Sequence, residues 1–209
     1  MNCKYFFACF ALLLSIYVYG QEGTFVNIGA FKSNGNHINA YAYMSPDSSH
    51  IYYFKIPTFY TSSARLVDPA IYIANSDTLI DNLTKIYSKY KEWTDISKKN
   101  NTGKFSKDID ITFPIIKACD KNRWSNGKVE EMNYNINSKK FKFNLYNPEK
   151  DPALYYKTQR ISKTRFGSVN YEMAISFINP EEFASLIEIL KIENVKNKIK
   201  NGSIDSLFK

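Results

Sequence analysis

Two periods of apolar residues divide this chain into strands and helices. Between residues 37 and 44 the period is two: Ile38, Ala40, Ala42 and Met44 alternate with Asn39, Tyr41 and Tyr43, as on a strand with one buried face. Residues 24–32 have the same strand character. Ser33-Asn34-Gly35-Asn36 between the two supplies an Asn-Gly pair for a tight hairpin, whose central residues need positive φ. Strand pattern resumes over 50–56, after the loop-forming run Ser45-Pro46-Asp47-Ser48-Ser49. Residues 58–68 fit neither period, and 69–74 read as a further short strand leading into a helix.

From 75 to 101 the period lengthens. Leu79, Leu83, Ile86, Tyr90 and Trp93 step by four and three, which stacks them on one helical face, and Ile80, Tyr87 and Ile96 widen the stripe. Ser76 is the predicted N-cap, since its hydroxyl can accept from a first-turn amide. Asp77 and Asp81 sit at the positive end of the helix dipole and Lys98 and Lys99 at the negative end, with Gly103 as the stop signal. Such a helix should cross one face of a sheet.

Alternation then returns. Over 108–116, Ile109, Ile111, Phe113 and Ile115 oppose Asp110 and Thr112, and Pro114, which cannot donate to a ladder, predicts a sheet edge or a strand end. A second Asn-Gly turn stands at Asn126-Gly127. Beyond it Met132, Tyr134 and Ile136 pair in pattern with Phe141, Phe143 and Leu145 around a turn near Asn137-Ser138. After a break at 148–152, residues 153–163 and 168–178 read as the last two strands. Asn179-Pro180-Glu181-Glu182 opens a helix with Asn at the N-cap, Pro at N1 and Glu at N3, the order of a capping box. Phe183, Leu186, Ile187 and Leu190 form its apolar face, and Gly202 is its predicted end.

Sequential strands joined by tight turns, with the helices set apart, predict a single α+β domain over 21–209, with a mainly antiparallel sheet of about eight strands, one long central helix and one C-terminal helix. A lipocalin-like up-and-down barrel is the alternative, because serial alternating strands serve it as well.

Residues 1–20 stand apart from this pattern. Lys4 precedes an unbroken run without charge from Tyr5 to Tyr19, and Val18-Tyr19-Gly20 ends it at small residues ahead of Gln21. The run falls short of the roughly 20 residues a spanning helix needs. The layout predicts a cleaved signal peptide and export to the periplasm or beyond, with no transmembrane segment left after cleavage; a retained anchor is the competing reading. Cys3 and Cys9 leave with the leader, so Cys119 is the only cysteine of the mature chain and cannot form an internal disulfide. It reads as a small buried residue. The whole chain carries a net charge of +8, and loss of Lys4 lowers this by one. That excess favours anionic partners.

Lys91-Glu92-Trp93, Asn100-Asn101, the run from Asp108 to Pro114 and Asn179-Pro180-Glu181-Glu182-Phe183 resemble a pattern in small exported proteins of Bacteroidota with no characterised function. The resemblance covers the region from the long helix to the C-terminus. It implies a Gram-negative exported protein and brings over no functional residue.

Catalytic signatures are sparse. The two histidines, His37 and His50, both flank turns, and no Gly-x-Ser-x-Gly, His-Glu-x-x-His, Walker A or dinucleotide loop occurs. No cofactor is expected. Acid pairs at Asp108/Asp110 and Glu130/Glu131 keep a carboxylate-dependent hydrolase acting on glycan open. The most suggestive polar segment runs from Tyr155 to Phe166, where basic residues interleave with aromatics. Tyr156, Lys157, Arg160, Lys163 and Arg165 are the candidate binding residues, with Lys139, Lys140 and Lys142 adding charge from a neighbouring strand. An exposed edge strand guarded by lysines explains the same residues without a ligand. The sequence thus favours a non-catalytic binding or interaction module whose partner is an anionic envelope component or another envelope protein. Nucleic acid is a poor partner for an exported chain.

Overall fold

The computed structural model of the protein describes residues 23–45, 47, 49–60, 67–123, 129–137, 139–146, 152–163 and 169–207. The expected leader, the Asn126-Gly127 turn, Arg165 and most of the 148–152 break lie outside the described residues.

The fold is α+β and its strand pairings are antiparallel. In one sheet β1 (Thr24–Ser33), β2 (Asn36–Met44), β3 (Ile51–Pro57), β5 (Val67–Ala74), β7 (Ile115–Arg123) and β8 (Val129–Asn135) lie side by side in that order. A second sheet has the order β4 (Phe59–Tyr60), β13 (Met173–Phe177), β10 (Ala153–Lys157), β9 (Lys140–Leu145) and β6 (Phe105–Thr112). The short strands β11 (Ile161–Lys163) and β12 (Val169–Tyr171) form a ribbon of two. Six strands, five strands and a ribbon replace the single sheet of about eight expected from the sequence, and neither sheet closes into a barrel.

The extra sheet arises because the chain changes sheets where the sequence suggested continuity. Residues 108–116 are two strands, not one. The run ends on β6, an edge strand, and Pro114 turns the corner into β7 of the other sheet, with the Ile115 amide donating to the Phe113 carbonyl at 2.8 Å. Likewise β8 and β9 are not partners. β8 pairs with β7, whereas β9 pairs with β6 and β10, and the crossing between them is pinned where the Phe113 amide donates to the Lys139 carbonyl at 2.7 Å.

The last two expected strands also divide. β10 stops at Lys157, and Thr158 exchanges two hydrogen bonds with Met173, one through its amide and one through its hydroxyl. Gln159 then reaches away, its side-chain nitrogen donating to the Asn135 carbonyl at 2.6 Å and its oxygen accepting from the Asn137 amide at 3.2 Å. That diversion ends the pairing with β13 and leaves β11 and β12 as a separate ribbon.

The first hairpin forms as expected. Asn34 and Gly35 hold φ of 49° and 77°, the left-handed pair of a two-residue turn. A bulge precedes it in β1, where Gly29 adopts φ 128° and the Asn27 side chain accepts from its amide at 2.8 Å. A side chain is strained at that φ, so the bulge needs glycine.

Helix α1 (Leu79–Lys99) buries Leu79, Leu83, Ile86 and Tyr90, then Thr94 and Ser97. The buried stripe therefore steps aside from Trp93, which sits half-buried at the rim with its ring edge-on to Phe143 at 5.6 Å, while Ile96 is exposed. Both helix ends differ from expectation. Thr78, not Ser76, occupies the N-cap and makes no side-chain cap bond. At the other end Asn101, at φ 45°, makes the left-handed step that Gly103 was expected to make. The Thr102 amide donates to the Ser97 carbonyl and the Asn101 amide to that of Lys98, the pair of bonds of a Schellman end.

Helix α2 (Pro180–Leu190) starts as predicted, the Asn179 side chain accepting from the Glu182 amide at 2.9 Å. Phe183, Leu186, Ile187 and Leu190 are buried, each contributing about 1.5–3 kcal/mol of apolar burial. An extended Lys191 separates it from α3 (Ile192–Leu207), so the C-terminal region is two helices, and Gly202 lies inside the second. Glu182 does not close a capping box on Asn179. Its carboxylate accepts instead from the Ile178 amide and from the amides of Asn34 and Gly35, at 2.8–3.0 Å.

One core joins the inner faces of both sheets to all three helices. Phe113, Phe141, Phe177 and Phe183 form a chain of ring contacts through it, with centroids 4.9–5.3 Å apart in the pairs Phe113–Phe141, Phe141–Phe183 and Phe177–Phe183. Tyr90 ties α1 to the five-stranded sheet, its hydroxyl 2.8 Å from the Pro152 carbonyl and 2.9 Å from that of Phe177. Removing that hydroxyl in Tyr90→Phe should lower stability by about 1–3 kcal/mol, because buried carbonyls lose their donor. A denaturation midpoint equal to that of the native protein would show the hydroxyl is not the tie.

Candidate functional site

The outer face of the five-stranded sheet carries the basic segment. Tyr155 on β10 lies opposite Lys142 on β9, so alternation projects Tyr155 and Lys157 outward beside Lys140 and Lys142. Together with Lys139, Asn137, Gln159 and Asp108 they line a recess of about 370 Å³. The lysines of β9 expected to add charge from a neighbouring strand do stand beside Lys157.

Acids answer most of this charge. Lys140 lies 2.5 Å from Asp110, Lys142 lies 3.4 Å from Asp108, and Lys157 lies 2.8 Å from Glu172. The Asp110 hydrogen bond holds the Lys140 ammonium above its ordinary range, and Lys140 lowers the Asp110 carboxyl in return. A hydrogen bond from Lys157 to Glu172 likewise raises Lys157. Burial raises the Tyr155 phenol. Lys139 has no ion-pair partner among the described residues.

Of the residues singled out from the sequence, Lys157 lies in the recess and Arg160 is exposed just beyond Gln159. Tyr156 does not belong to the site. It points the opposite way along β10, is fully buried against Phe141, and has its phenol pushed up by burial. Lys163 is on the backbone of β11, but its side chain lies outside the described residues, as does Arg165.

The other candidate chemistry resolves into structure. Asp108 and Asp110 share the outward face of β6, each held by a lysine, and the side chains of Glu130 and Glu131 lie outside the described residues. Cys119 is buried beside Ala70 and Tyr72. His37 and His50 are exposed. His50 does meet a serine and an aspartate, with Ser49 Oγ 2.6 Å from its Nδ1 and 2.7 Å from Asp47 Oδ1. The hydroxyl, however, lies between the carboxylate and the ring. A catalytic triad needs the imidazole in the middle, to take the hydroxyl proton while the acid orients it. This cluster is a loop clasp.

A second recess, of about 500 Å³, opens on the six-stranded sheet, lined by Phe25, Tyr41, Lys55, Pro57, Thr58, Asp68 and Pro69. Sequence reasoning missed it. The available signal was that the outward positions of β1, β2, β3 and β5 hold large aromatics, Phe25, Tyr41, Tyr43, Tyr53 and Tyr72, where a solvated face would carry small polar residues.

No protein-family model, curated protein or solved structure matches the chain. Among the described residues no helix is long and apolar enough to cross a membrane.

The loop clasp yields a pH prediction. Hydrogen bonds from the Ser45 hydroxyl, then from the Ser49 amide and hydroxyl, lower the Asp47 carboxyl from the ordinary 3.8 to about 2. A folded-state value below the unfolded one means that the clasp stabilises the loop fully above about pH 4 and fades as pH falls through about 2. Titration of the Asp47 carboxyl carbon by NMR should show a midpoint near 2. A midpoint at the ordinary value would mean that the clasp is open in solution.

Proposed function

We propose that this protein is an exported, non-catalytic binding module of the bacterial envelope that holds an anionic component on the outer face of its five-stranded sheet. The observation that carries the reading is the gathering of Lys139, Lys140, Lys142 and Lys157 around one recess, with Tyr155 as its aromatic wall. Their acidic partners do not argue against it. Exposed ion pairs are worth about 0–1 kcal/mol, so a ligand carrying several negative charges can displace Asp108 and Asp110 at little cost. Arg160 stands close enough in sequence to extend the surface. A phosphate or sulfate group or an acidic sugar has the required chemistry.

The glycan-hydrolase alternative draws less support. A general acid among paired carboxylates needs a raised pKa, and Asp110 has a lowered one, with Lys140 bonded to it.

The test starts from protein recovered from the envelope, whose intact mass should place its first residue at Gln21. It should bind an acidic-glycan resin and elute as salt rises, because exposed charges are screened over about 8 Å at physiological ionic strength. The Lys139→Gln/Lys142→Gln/Lys157→Gln variant should elute at clearly lower salt. Equal retention by a variant whose circular dichroism is unchanged would remove this face from function.

A further inference from the structure

We infer that the flank of α1 and the start of β6 form a docking face for an anionic lipid bilayer, with Ile96 and Phe105 entering its interface and Lys99, Lys104 and Lys107 meeting its headgroups. This face lies across β6 from the lysine recess and does not rest on the reading given to it.

The core covers α1 except along one flank. The five-stranded sheet ends at β6, and the side of α1 next to that edge stays partly open. Trp93 leans onto Phe143 at 5.6 Å, and Phe105 meets the same ring at 6.2 Å. Between them opens a notch of about 270 Å³ whose polar walls are Ser97, Thr102 and Lys107. At its mouth Ile96 remains 48% exposed and Phe105 42%, so core packing does not account for either side chain. Scattered apolar residues are ordinary on a surface, but these two flank a single apolar notch bordered by lysine, the composition of an interaction site.

Charge at this face has one sign. From Ile96 to Lys107 the chain carries Lys98, Lys99, Lys104 and Lys107 and no acid. Lys99, Lys104 and Lys107 are exposed, and the Lys107 ammonium stands 5.0 Å from the centre of the Trp93 ring, at the notch itself. The neighbouring acids are engaged or turned away. Asp108 is on the opposite face of β6 against Lys142, and Glu92 is 2.7 Å from Lys89. Asp95 is turned roughly 100° around the helix from Ile96, on the side away from Trp93.

That combination narrows the partner. A soluble anion would answer the lysines and leave Ile96 and Phe105 in water. An added protein strand would have to lie along β6, and that edge is guarded by Lys107, Asp108 and Asp110. Its pairing is also irregular, the step from Asp108 to Thr112 lying opposite the shorter step from Lys142 to Lys140 on β9. An anionic bilayer meets both features. Its headgroups attract lysines whose stems lie along apolar surface, and its interfacial layer takes the apolar tips. Trp93, half-buried at the rim, then sits at headgroup level, where tryptophan is favoured.

The probes are vesicles of phosphatidylcholine alone and of equimolar phosphatidylcholine and phosphatidylglycerol, the latter also made with brominated acyl chains. The protein should sediment with the anionic vesicles, far less with the neutral ones, and added salt should release it. In a Trp124→Phe background, where Trp93 is the sole tryptophan, the brominated chains should quench its fluorescence. Lys99→Gln/Lys104→Gln/Lys107→Gln should weaken partitioning about a hundredfold, from the usual gain per lysine near an anionic surface. Ile96→Ser/Phe105→Ser should weaken it about tenfold or more and abolish the quenching. Both variants change exposed side chains, so their circular dichroism should match that of the native protein. The Lys139→Gln/Lys142→Gln/Lys157→Gln variant should keep the quenching, which separates this face from the lysine recess. Equal sedimentation with both vesicles, unquenched Trp93 on the anionic ones, or full partitioning in either variant would each overturn the assignment. Sedimentation with neither would overturn it in favour of a protein partner.

Discussion

A single buried carboxylate holds the two sheets in their relation. Glu182 is 4% exposed, and taking a carboxylate out of water costs several kcal/mol unless hydrogen bonds replace the lost hydration. Three backbone amides do so: Gly35 on one oxygen at 2.8 Å, and Asn34 and Ile178 on the other at 3.0 and 2.9 Å. The left-handed pair Asn34 and Gly35 aims successive amides the same way, which turns the tip of the β1–β2 hairpin into an anion cradle. One side chain thereby fixes the end of the first sheet, the exit from β13 in the second, and the first turn of α2. Neighbouring bonds reinforce it, with the Ser33 hydroxyl donating to the Ser176 carbonyl at 2.6 Å and the Lys32 amide to Ser185 Oγ at 3.0 Å. The apolar residues of α2 and the Phe141–Phe177–Phe183 contacts then pack in a geometry already set.

That arrangement decides which surfaces the fold leaves uncovered. The helices and the inner faces of both sheets are consumed by one core. The outer faces remain, and their character differs. The five-stranded sheet presents lysines paired with acids, of which Asp108 and Asp110 are exposed and Glu172 is half-buried. The outer face of the six-stranded sheet presents aromatic rings that brace one another, with the Lys55 ammonium over Phe25 and the Lys117 ammonium over Tyr72.

Local chemistry made much of the fold legible. The Asn-Gly hairpin, the stripe from Leu79 to Tyr90 and the Asn-Pro start of α2 each depend on a few neighbouring residues, and each stands where the pattern put it. The alternation of 108–116 and 153–163 marks strand over most of each stretch, but each is two strands, broken at 113–114 and at 158–160, and a period of two says nothing about which sheet a strand joins. Pro114 signalled a strand end without revealing that the chain there crosses to the other sheet. The left-handed step at Asn101 was hidden because Gly103 offered a stronger signal two residues later. Alternation also separated Tyr156 from Lys157, which is what the structure shows, although both had been named as site residues. The aromatic recess was illegible for a different reason: its walls come from β1, β2, β3 and β5, and only the order and register of those strands bring them together.

The Glu182 cradle is the element on which this account rests, and amide hydrogen exchange measures it directly. The amides of Asn34 and Gly35 belong to an exposed two-residue turn, where exchange is ordinarily fast. Held by Glu182, they should exchange as slowly as the amides of the core strands, and the Ile178 amide should slow with them. Exchange of the two turn amides at the rate of free, solvated peptide would contradict the cradle and the sheet-to-sheet tie built on it.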